Sequence, residues 1–313
     1  MNNMNKLLII CGPTATGKTK LGIDLAKKFN GEIISADSRQ VYRGMDIGTG
    51  KDDLKTWLID VAKPDFRFNV ADYKKYADIA IEDILSRNKL PIIVGGTGFY
   101  IKAVTEGIET IGVEPDWELR AKLANYRINE LRIVLEKIDP KRWQKMNESD
   151  RQNPRRLVRA IEIAQNKKQN TKYLPCSPRG VAGRPAGKIQ NTKKDTLFIG
   201  LTSPYKFLYQ RIDRRVEARV EAGLEEEIRS LLKKGYTWEN SALGTTLAYN
   251  EWRPYFENQK NKEEVIKKWK FDEHGYARRQ MTWFRKQPKI NWFDINKQNF
   301  QEEVEKKVGN WYS

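Results

Sequence analysis

Residues 12–19 constrain the fold of this chain more than any other feature. They read Gly-Pro-Thr-Ala-Thr-Gly-Lys-Thr and fit the phosphate-binding pattern G-x-x-x-x-G-K-[ST]. The apolar run 7–11 precedes them, and Leu21, Leu25 and Phe29 follow at the four-residue spacing of one helix face. A strand, a glycine loop and a helix in this order predict an anion cradle made of backbone amides and a helix N-terminus. The alternative is a simple glycine turn that caps a helix.

The chemistry expected of this loop follows from its side chains. Lys18 supplies a point charge for terminal phosphates, and the hydroxyl of Thr19 is a candidate ligand of Mg²⁺. The candidate anion-binding residues are Gly12, Pro13, Thr14, Ala15, Thr16, Gly17, Lys18 and Thr19.

The net charge points to a polyanionic partner. The chain has 58 Lys and Arg against 41 Asp and Glu, a formal net charge of +17. A kinase of small metabolites does not need this excess, whereas a protein that binds nucleic acid does. The alternatives are solubility, or a host whose proteins are generally basic. With 39% hydrophobic residues the chain is expected to fold.

Cysteine, histidine and hydropathy exclude several classes of protein. Two distant cysteines, Cys11 and Cys176, make no disulfide framework, and the single His274 leaves no His/Cys zinc cluster. All three are interpreted as structural. The apolar runs are far shorter than the ~20 residues that cross a bilayer, and the N-terminus has no signal-peptide pattern. We therefore expect a cytoplasmic protein without a membrane segment.

Strands and helices alternate in the first third of the chain. Strands are predicted at 7–11, 32–36 and 91–94, with helices at 18–29 and 71–87. This alternation indicates an α/β fold with a mostly parallel sheet, whose ligands lie beyond the carboxyl ends of the strands. The phosphate loop, Asp37 and the glycine-rich segment 95–98 each follow one such end, so all three are expected at one rim.

The rest of the chain divides into three further parts. Residues 116–170 form a helical insertion in this prediction, 171–195 a flexible basic linker, and 196–313 the remainder of a core that begins with residues 1–115. A strand at 196–201 is followed by one long amphipathic helix from 204 to 234.

Asp37 is the most informative acid, because it follows a buried strand beside the phosphate loop. One interpretation makes it a magnesium ligand or a base for a substrate hydroxyl, as in small-molecule kinases. Another makes it a base that orients an amine nucleophile. The structural alternative is that it caps the next turn.

Six segments together resemble the tRNA dimethylallyltransferases, also called tRNA isopentenyltransferases. They are 34–51, 94–102, 154–160, 210–216, 223–227 and 278–285, in family order over roughly residues 7–295. The resemblance implies a P-loop NTPase-like parallel sheet flanked by helices, with a helical insertion. It also implies a monomer.

The resemblance implies a specific reaction. The loop would hold the diphosphate of dimethylallyl diphosphate, and the acceptor would be N6 of the adenosine 3′-adjacent to the tRNA anticodon. Asp37 would orient N6 and accept its proton, Thr97 would contact the adenosine, and Arg215 would clamp the pyrophosphate with Thr19 and Mg²⁺. Spacing alone does not separate Arg215 from the neighbouring Arg211, Arg214 and Arg219.

Further segments resemble the parts of the family that contact the anticodon stem-loop of tRNA. The candidate residues are Asp37, Ser38, Arg39, Gln40, Thr97, Arg155, Arg156, Leu157, Val158, Arg159, Arg278, Arg279, Gln280 and Arg285. Three departures from the family pattern put the tRNA contacts in doubt: residues 55–57, 247–249 (Leu-Ala-Tyr for Ile-Gly-Tyr) and 273–275 (Glu-His-Gly for Thr-Arg-Gln).

Three other functions stay open at this point. A P-loop kinase would turn over a nucleoside triphosphate. A nucleotide-switched RNA-binding protein would need a Walker-B aspartate, and no candidate other than Asp37 is found. A transferase acting on free AMP would not need the basic helical insertion.

Overall fold

The computed structural model describes residues 5–51, 56–108, 113, 115–166 and 194–313. They form two compact units, one of Met1–Gly107 with Gly183–Ser313 and one of Ile108–Ala182. The predicted linker at 171–195 lies almost wholly outside the described residues.

The larger unit is built on a five-stranded sheet in the order β2-β3-β1-β4-β5, in which every neighbouring pair is parallel. Its elements are β1 Lys6–Cys11, α1 Lys18–Lys28, β2 Gly31–Ser35, α2 Val70–Ser86, β3 Leu90–Gly95, α3 Gly98–Thr105, and then β4 Asp195–Thr202, α9 Tyr205–Glu221, α10 Leu224–Lys233, a 3-10 helix Ala242–Thr245, α11 Leu247–Asn250, α12 Arg253–Phe256, α13 Lys262–Phe284, β5 Ile290–Asp294 and α14 Phe300–Tyr312. The expected α/β architecture is confirmed.

Successive side chains of the central strand, β1, point to opposite faces of the sheet, and each face is covered by helices. Leu7 and Ile9 pack into one apolar cluster that includes residues of α2, α3 and α13. Leu8 and Ile10 point the other way, into a cluster with α1 and α14. Both faces of a parallel sheet are buried, so β1 reads as a continuous apolar run.

The smaller unit consists of short helices around its own core. They are α4 Trp117–Leu123, α5 Ile128–Ile138, α6 Pro140–Lys145, α7 Glu148–Arg151 and α8 Pro154–Asn166. Leu131, Leu135, Leu157 and Ile161 are almost fully buried between α5 and α8. The carboxylate of Glu162 is also buried, and it accepts hydrogen bonds from Arg120 at 2.9 Å and from the Asp116 amide at 2.6 Å.

The single helix predicted for 204–234 was wrong. Two helices, α9 and α10, are separated at Gly223, which has φ of +94° and therefore a backbone conformation that ends an α-helix. The strand β5 was not predicted, because Asn291 and Asp294 dilute its apolar pattern. It completes the sheet by pairing with β4, where Phe198 lies opposite Ile290.

Among the described residues, no helix is both long and apolar enough to span a lipid bilayer.

Candidate active site

The phosphate loop joins β1 to α1, and three of its residues have positive φ. Gly12 has φ of +136°, and a Cβ there would lie 2.3 Å from the carbonyl oxygen of Leu201 on the adjacent strand. Ala15 has φ of +63° and Gly17, the N-cap of α1, has φ of +83°. The loop thus turns tightly over the sheet and ends at a helix N-terminus that no side chain caps.

Lys18 lies within this loop, where its ammonium donates to the carbonyl of Pro13 at 2.6 Å. Burial, followed by the like charge of Arg215, lowers the pKa of Lys18 to about 8. Thr16 donates to the same carbonyl at 2.9 Å. A cation held in a place where its charge is disfavoured is suited to receive an anion.

A basic cavity of about 820 Å³ opens at the loop. Its lining residues are Ala15, Gly17, Lys18, Thr19, Lys20, Ile23, Lys51, Arg211, Arg214 and Arg215. Every charged residue in this lining is positive, so an anionic group with several charges fits it best.

The carboxyl ends of β2 and β3 hold Asp37 beside Thr97. The amide of Arg39 donates to Asp37 Oδ1 at 2.8 Å, and the amide of Ser38 donates to Thr97 Oγ1 at 3.1 Å. The Thr97 amide in turn donates to the Ala36 carbonyl at 3.0 Å. These bonds fix the Asp37 turn against the glycine-rich turn after β3.

Asp37 lines a second cavity, of about 380 Å³, together with Thr14 of the phosphate loop and Arg215. The tertiary structure thus brings a carboxylate, a P-loop hydroxyl and a guanidinium to one pocket. Because both cavities include Arg215, this arginine belongs to the acid site and to the anion site. A carboxylate in such a pocket can orient a donor group and accept its proton.

The arginines of α9 have distinct positions that spacing did not separate. Arg211 donates from Nε to the Ala15 carbonyl at 2.7 Å, and Arg215 donates from Nη1 to Thr14 Oγ1 at 3.0 Å. Arg214 is exposed and lines only the basic cavity. Arg219 is almost fully enclosed and lines the cavity of Asp37.

Gln280, which the sequence analysis named as a candidate for tRNA contact, has a buried structural position that the sequence did not predict. Its side chain is 7% exposed; Oε1 accepts from the Thr14 amide at 2.8 Å and Nε2 donates to the Gly96 carbonyl at 3.1 Å. The amide thus ties the phosphate loop to the turn that carries Thr97. No local signal marks this role, since 266 positions separate Gln280 from Thr14.

Glu227 is a second structural residue that the sequence did not single out for the site. Its carboxylate accepts from the amides of Asp46, Ile47 and Gly48 at 2.8 to 3.1 Å, and from Tyr249 Oη at 2.6 Å. These bonds hold the loop whose Gly48 and Thr49 line the cavity of Asp37. Residues 247–249 differ from the family pattern at the first two positions but keep the tyrosine, Tyr249, that contacts Glu227.

The RNA-contact candidates of the larger unit have varied surroundings. Arg39 donates to Thr245 Oγ1 at 3.0 Å and lines the cavity of Asp37, as do Ser38 and Arg279. Gln40 is tied to Ser35 at 2.8 Å and to the Gly50 carbonyl. Arg278 donates to Tyr209 Oη at 2.8 Å, and Arg285 is exposed.

In the smaller unit the candidates share the first two turns of α8. Arg155 and Arg156 are exposed, and Arg156 pairs with Asp150. Arg159 donates to Glu162 and to the Val113 carbonyl, while Val158 is half-buried. Leu157 is fully buried, so its side chain packs in the core and leaves the arginines as the candidates for RNA contact.

The residues interpreted as structural also have defined positions. Cys11 is buried at the end of β1, and burial raises the pKa of its thiol to about 12. His274 lies 2.8 Å from Asp213 and stacks on the ring of Tyr209. Cys176 lies outside the described residues. Within those residues no cluster of three or more His, Cys, Asp or Glu could hold a metal ion.

The chain matches known proteins over nearly its whole length. Residues 40–287 match the family described as IPP transferase, and residues 5–56 match isopentenyl transferase. A tRNA dimethylallyltransferase from Pediococcus pentosaceus is 40% identical over 98% of this chain and 97% of its own length. The tRNA dimethylallyltransferase of a Roseiflexus species is 39% identical, with 98% of this chain and 99% of the relative covered.

Two solved structures of transferases are similar to this chain in fold. The tRNA isopentenylpyrophosphate transferase of Bacillus halodurans superposes with a TM-score of 0.70 at 34% identity, covering 98% of this chain and 97% of the other. A eukaryotic dimethylallyltransferase that acts on tRNA superposes with a TM-score of 0.76 at 25% identity, over 98% of this chain and 80% of the other.

Proposed function

The chain belongs to the tRNA dimethylallyltransferases, and from this membership we propose how its two joined cavities perform prenyl transfer. The enzyme transfers a dimethylallyl group from dimethylallyl diphosphate to N6 of the adenosine 3′-adjacent to the tRNA anticodon. The products are N6-dimethylallyladenosine and pyrophosphate. One observation carries the assignment of roles: Asp37 and the phosphate loop meet in one pocket, with Arg215 between the two cavities.

The basic cavity is the place for the diphosphate. In the reaction the bond between the prenyl carbon and the diphosphate oxygen breaks, and its electron pair leaves with pyrophosphate. Lys18, the loop amides and Arg215 stabilise the charge that develops on the leaving oxygen. Because these donors are held in place before the substrate arrives, little reorganisation accompanies bond breaking.

Asp37 acts on the acceptor. The lone pair of N6 forms the new bond to the prenyl carbon, and the proton that N6 loses passes to the carboxylate. Asp37 Oδ1 is engaged by the Arg39 amide at 2.8 Å, which fixes the direction of the carboxyl group. Thr97 contacts the adenosine in this proposal and holds the Ser38 amide at 3.1 Å. The adenine must leave its stack to enter a pocket of this kind.

Mg²⁺ is the proposed cofactor, and Thr19 is the residue that would hold it. Thr19 lines the basic cavity, so its hydroxyl and the oxygens of a bound diphosphate would supply oxygen ligands of the kind that Mg²⁺ prefers. When bound, the ion would offset the negative charge of the diphosphate.

The anticodon stem-loop of tRNA is the proposed macromolecular partner. Arg39 and Arg279, which line the Asp37 cavity, bring positive charge to the pocket proposed for the acceptor. Arg278 on α13 and Arg285, the residue that follows α13, add exposed positive charge, as do Arg155 and Arg156 in the smaller unit. Contacts of this kind to phosphates supply affinity that falls as salt rises.

The test is incubation with radiolabelled dimethylallyl diphosphate, Mg²⁺ and unmodified tRNA, followed by nucleoside analysis. Label in N6-dimethylallyladenosine from the position 3′ to the anticodon is the expected result. Label transfer to free AMP but not to tRNA would contradict the proposed acceptor. Turnover of ATP without prenyl transfer would contradict the proposed reaction.

A further inference from the structure

Arg219 is a buried cation in the candidate active site for which the proposed mechanism has no use. Its side chain is 12% exposed and lines the same cavity as Asp37 and Thr14. Its Nε is buried and has no hydrogen-bond partner among the described residues. A buried donor without a partner costs free energy, unless a bound group completes its bonding.

Helix geometry places this guanidinium beside that of Arg215. The two residues are four positions apart on α9, so they lie on one face of the helix. A Cβ built on Gly50 would lie 2.5 Å from Nη2 of Arg215 and 2.3 Å from Nη2 of Arg219. Both groups thus converge on the same point above the Gly50 backbone.

The acids whose charge favours the ionised form of Arg219 are Glu273 and, to a smaller extent, Asp37. Glu273 is the acid nearest to Arg219, with Oε1 at 3.9 Å from Nη1, which is longer than a hydrogen bond. The same Oε1 accepts from Trp269 Nε1 at 3.2 Å. Burial, followed by the like charge of Arg215, lowers the pKa of Arg219 to about 10, so the guanidinium is still charged at neutral pH.

We propose that Arg219, from the side of the Asp37 cavity, joins Arg215, which lines both cavities, in a two-arginine clamp for the diphosphate of the prenyl donor. The bound anion would then replace Glu273 as the partner of Arg219. Two adjacent guanidinium groups match the several oxygens of a diphosphate, and each can donate two parallel hydrogen bonds. This inference rests on the proposed function for the identity of the anion. It adds a binding residue to the site, because Arg215 and Arg219 would together stabilise the negative charge of the departing pyrophosphate.

The experiment measures binding of inorganic pyrophosphate with Mg²⁺ by titration calorimetry to the full chain and three variants. Arg219→Met keeps side-chain length without charge, and we expect an affinity about ten- to hundredfold weaker. Glu273→Gln keeps the acceptor for Trp269 but releases Arg219, so pyrophosphate should bind more tightly. The double variant R219M/E273Q should bind as weakly as Arg219→Met alone.

A merely structural role gives the opposite pattern. If Arg219 served only to neutralise Glu273, the double variant would recover wild-type affinity, and this result would overturn the clamp. Unchanged pyrophosphate affinity of Arg219→Met would overturn it as well, and so would a loss confined to the affinity for an anticodon stem-loop RNA. Should Arg219→Met not fold, the Glu273→Gln variant keeps the test decisive, since unchanged or weaker binding contradicts the proposal.

These readouts are independent of prenyl transfer. If the wild-type protein failed to modify tRNA while Arg219→Met lost pyrophosphate, the proposed function would fall and the anion clamp would stand. If tRNA modification proceeded and Arg219→Met bound pyrophosphate normally, the clamp would fall and the function would stand.

Discussion

Arg215 donates from Nη1 to Thr14 Oγ1 at 3.0 Å, joining residues 201 positions apart in the chain. The bond attaches helix α9 to the phosphate loop at the point where the cavity of Asp37 meets the basic cavity. This bond connects the arginine that would bind the leaving pyrophosphate to the cavity that would receive the adenine. Four predictions concern this region of the larger unit, and a fifth concerns the core of the smaller unit.

Replacing Asp37 by Asn should reduce prenyl transfer by about 10²–10⁴-fold, because the amide cannot accept the N6 proton. Asn retains an oxygen that can accept from the Arg39 amide, so the turn and the affinity for tRNA should survive. Single-turnover kinetics and filter binding measure the two effects separately. Undiminished transfer would remove Asp37 from the chemistry.

Pyrophosphate affinity should fall as pH rises through about 8, because Lys18 has a lowered pKa of about 8 and binds the anion in its charged form. The unliganded protein behaves in the opposite sense: its folded pKa lies below the ordinary 10.5, so this group makes the protein more stable as pH rises from 8 to 10.5. Calorimetric titration between pH 7 and 10 tests the binding effect. Lys18→Arg stays charged over this range, so its affinity should decline less with pH than that of the wild type, and the remaining decline would come from Arg219 with its pKa of about 10. An equal decline in both proteins would contradict the assignment.

Gly50→Ala should weaken pyrophosphate binding, since its Cβ would overlap the guanidinium groups of Arg215 and Arg219. The matched control is Gly235→Ala. Gly50 has φ of +63° and Gly235 has φ of +86°, but a Cβ at Gly235 would meet nothing within 4 Å. Both variants should lose about 1 kcal/mol of unfolding free energy to backbone strain, and only Gly50→Ala should lose affinity. Equal affinities in calorimetry would show that the overlap is relieved without consequence.

Gln280→Leu should lower the free energy of unfolding by on the order of 2–4 kcal/mol, because the Thr14 amide and the Gly96 carbonyl each lose a buried partner. Prenyl transfer should fall too, as the phosphate loop and the Thr97 turn are no longer joined. Arg285→Ala, an exposed change just after the end of α13, is the control for stability and should leave thermal unfolding unaltered. A Gln280→Leu protein with wild-type melting would disprove the tie.

Glu162→Gln should destabilise the smaller unit by about 1–3 kcal/mol, because it weakens the hydrogen bonds of the partly exposed Arg120 and Arg159 to their buried partner. Burial opposes ionisation of Glu162, but hydrogen bonds from Arg120, Arg159 and the Asp116 amide outweigh it and lower its pKa. The stabilisation is therefore present above the ordinary value of 4.5 and is lost as pH falls through the lower, folded value. Hydrogen exchange of α4, α5 and α8 measures both effects, with Glu136→Gln, an exposed change on α5, as control.

Local patterns were sufficient for the elements that define the fold class. The apolar run of β1, the glycine loop and the first helix lie next to one another in sequence, and strand ends of a parallel sheet share one rim. That reasoning placed Asp37, Thr97 and the phosphate loop together, and the structure has all three at the carboxyl ends of β1, β2 and β3. Spacing could not reveal the break at Gly223, since the apolar residues of α9 and α10 continue in helical register across it.

The sequence alone determined the identity of the anion-binding loop and the likeness to a family, because both depend on short motifs of neighbouring residues. It also placed an acid beside the loop, because the carboxyl ends of parallel strands share one rim. Only the tertiary structure decided which of four arginines on α9 faces Thr14, that Gln280 is a buried tie, and that Arg219 shares one point in space with Arg215. These relationships join segments separated by up to 266 positions. They arise from packing of helices against the sheet, which no local periodicity encodes.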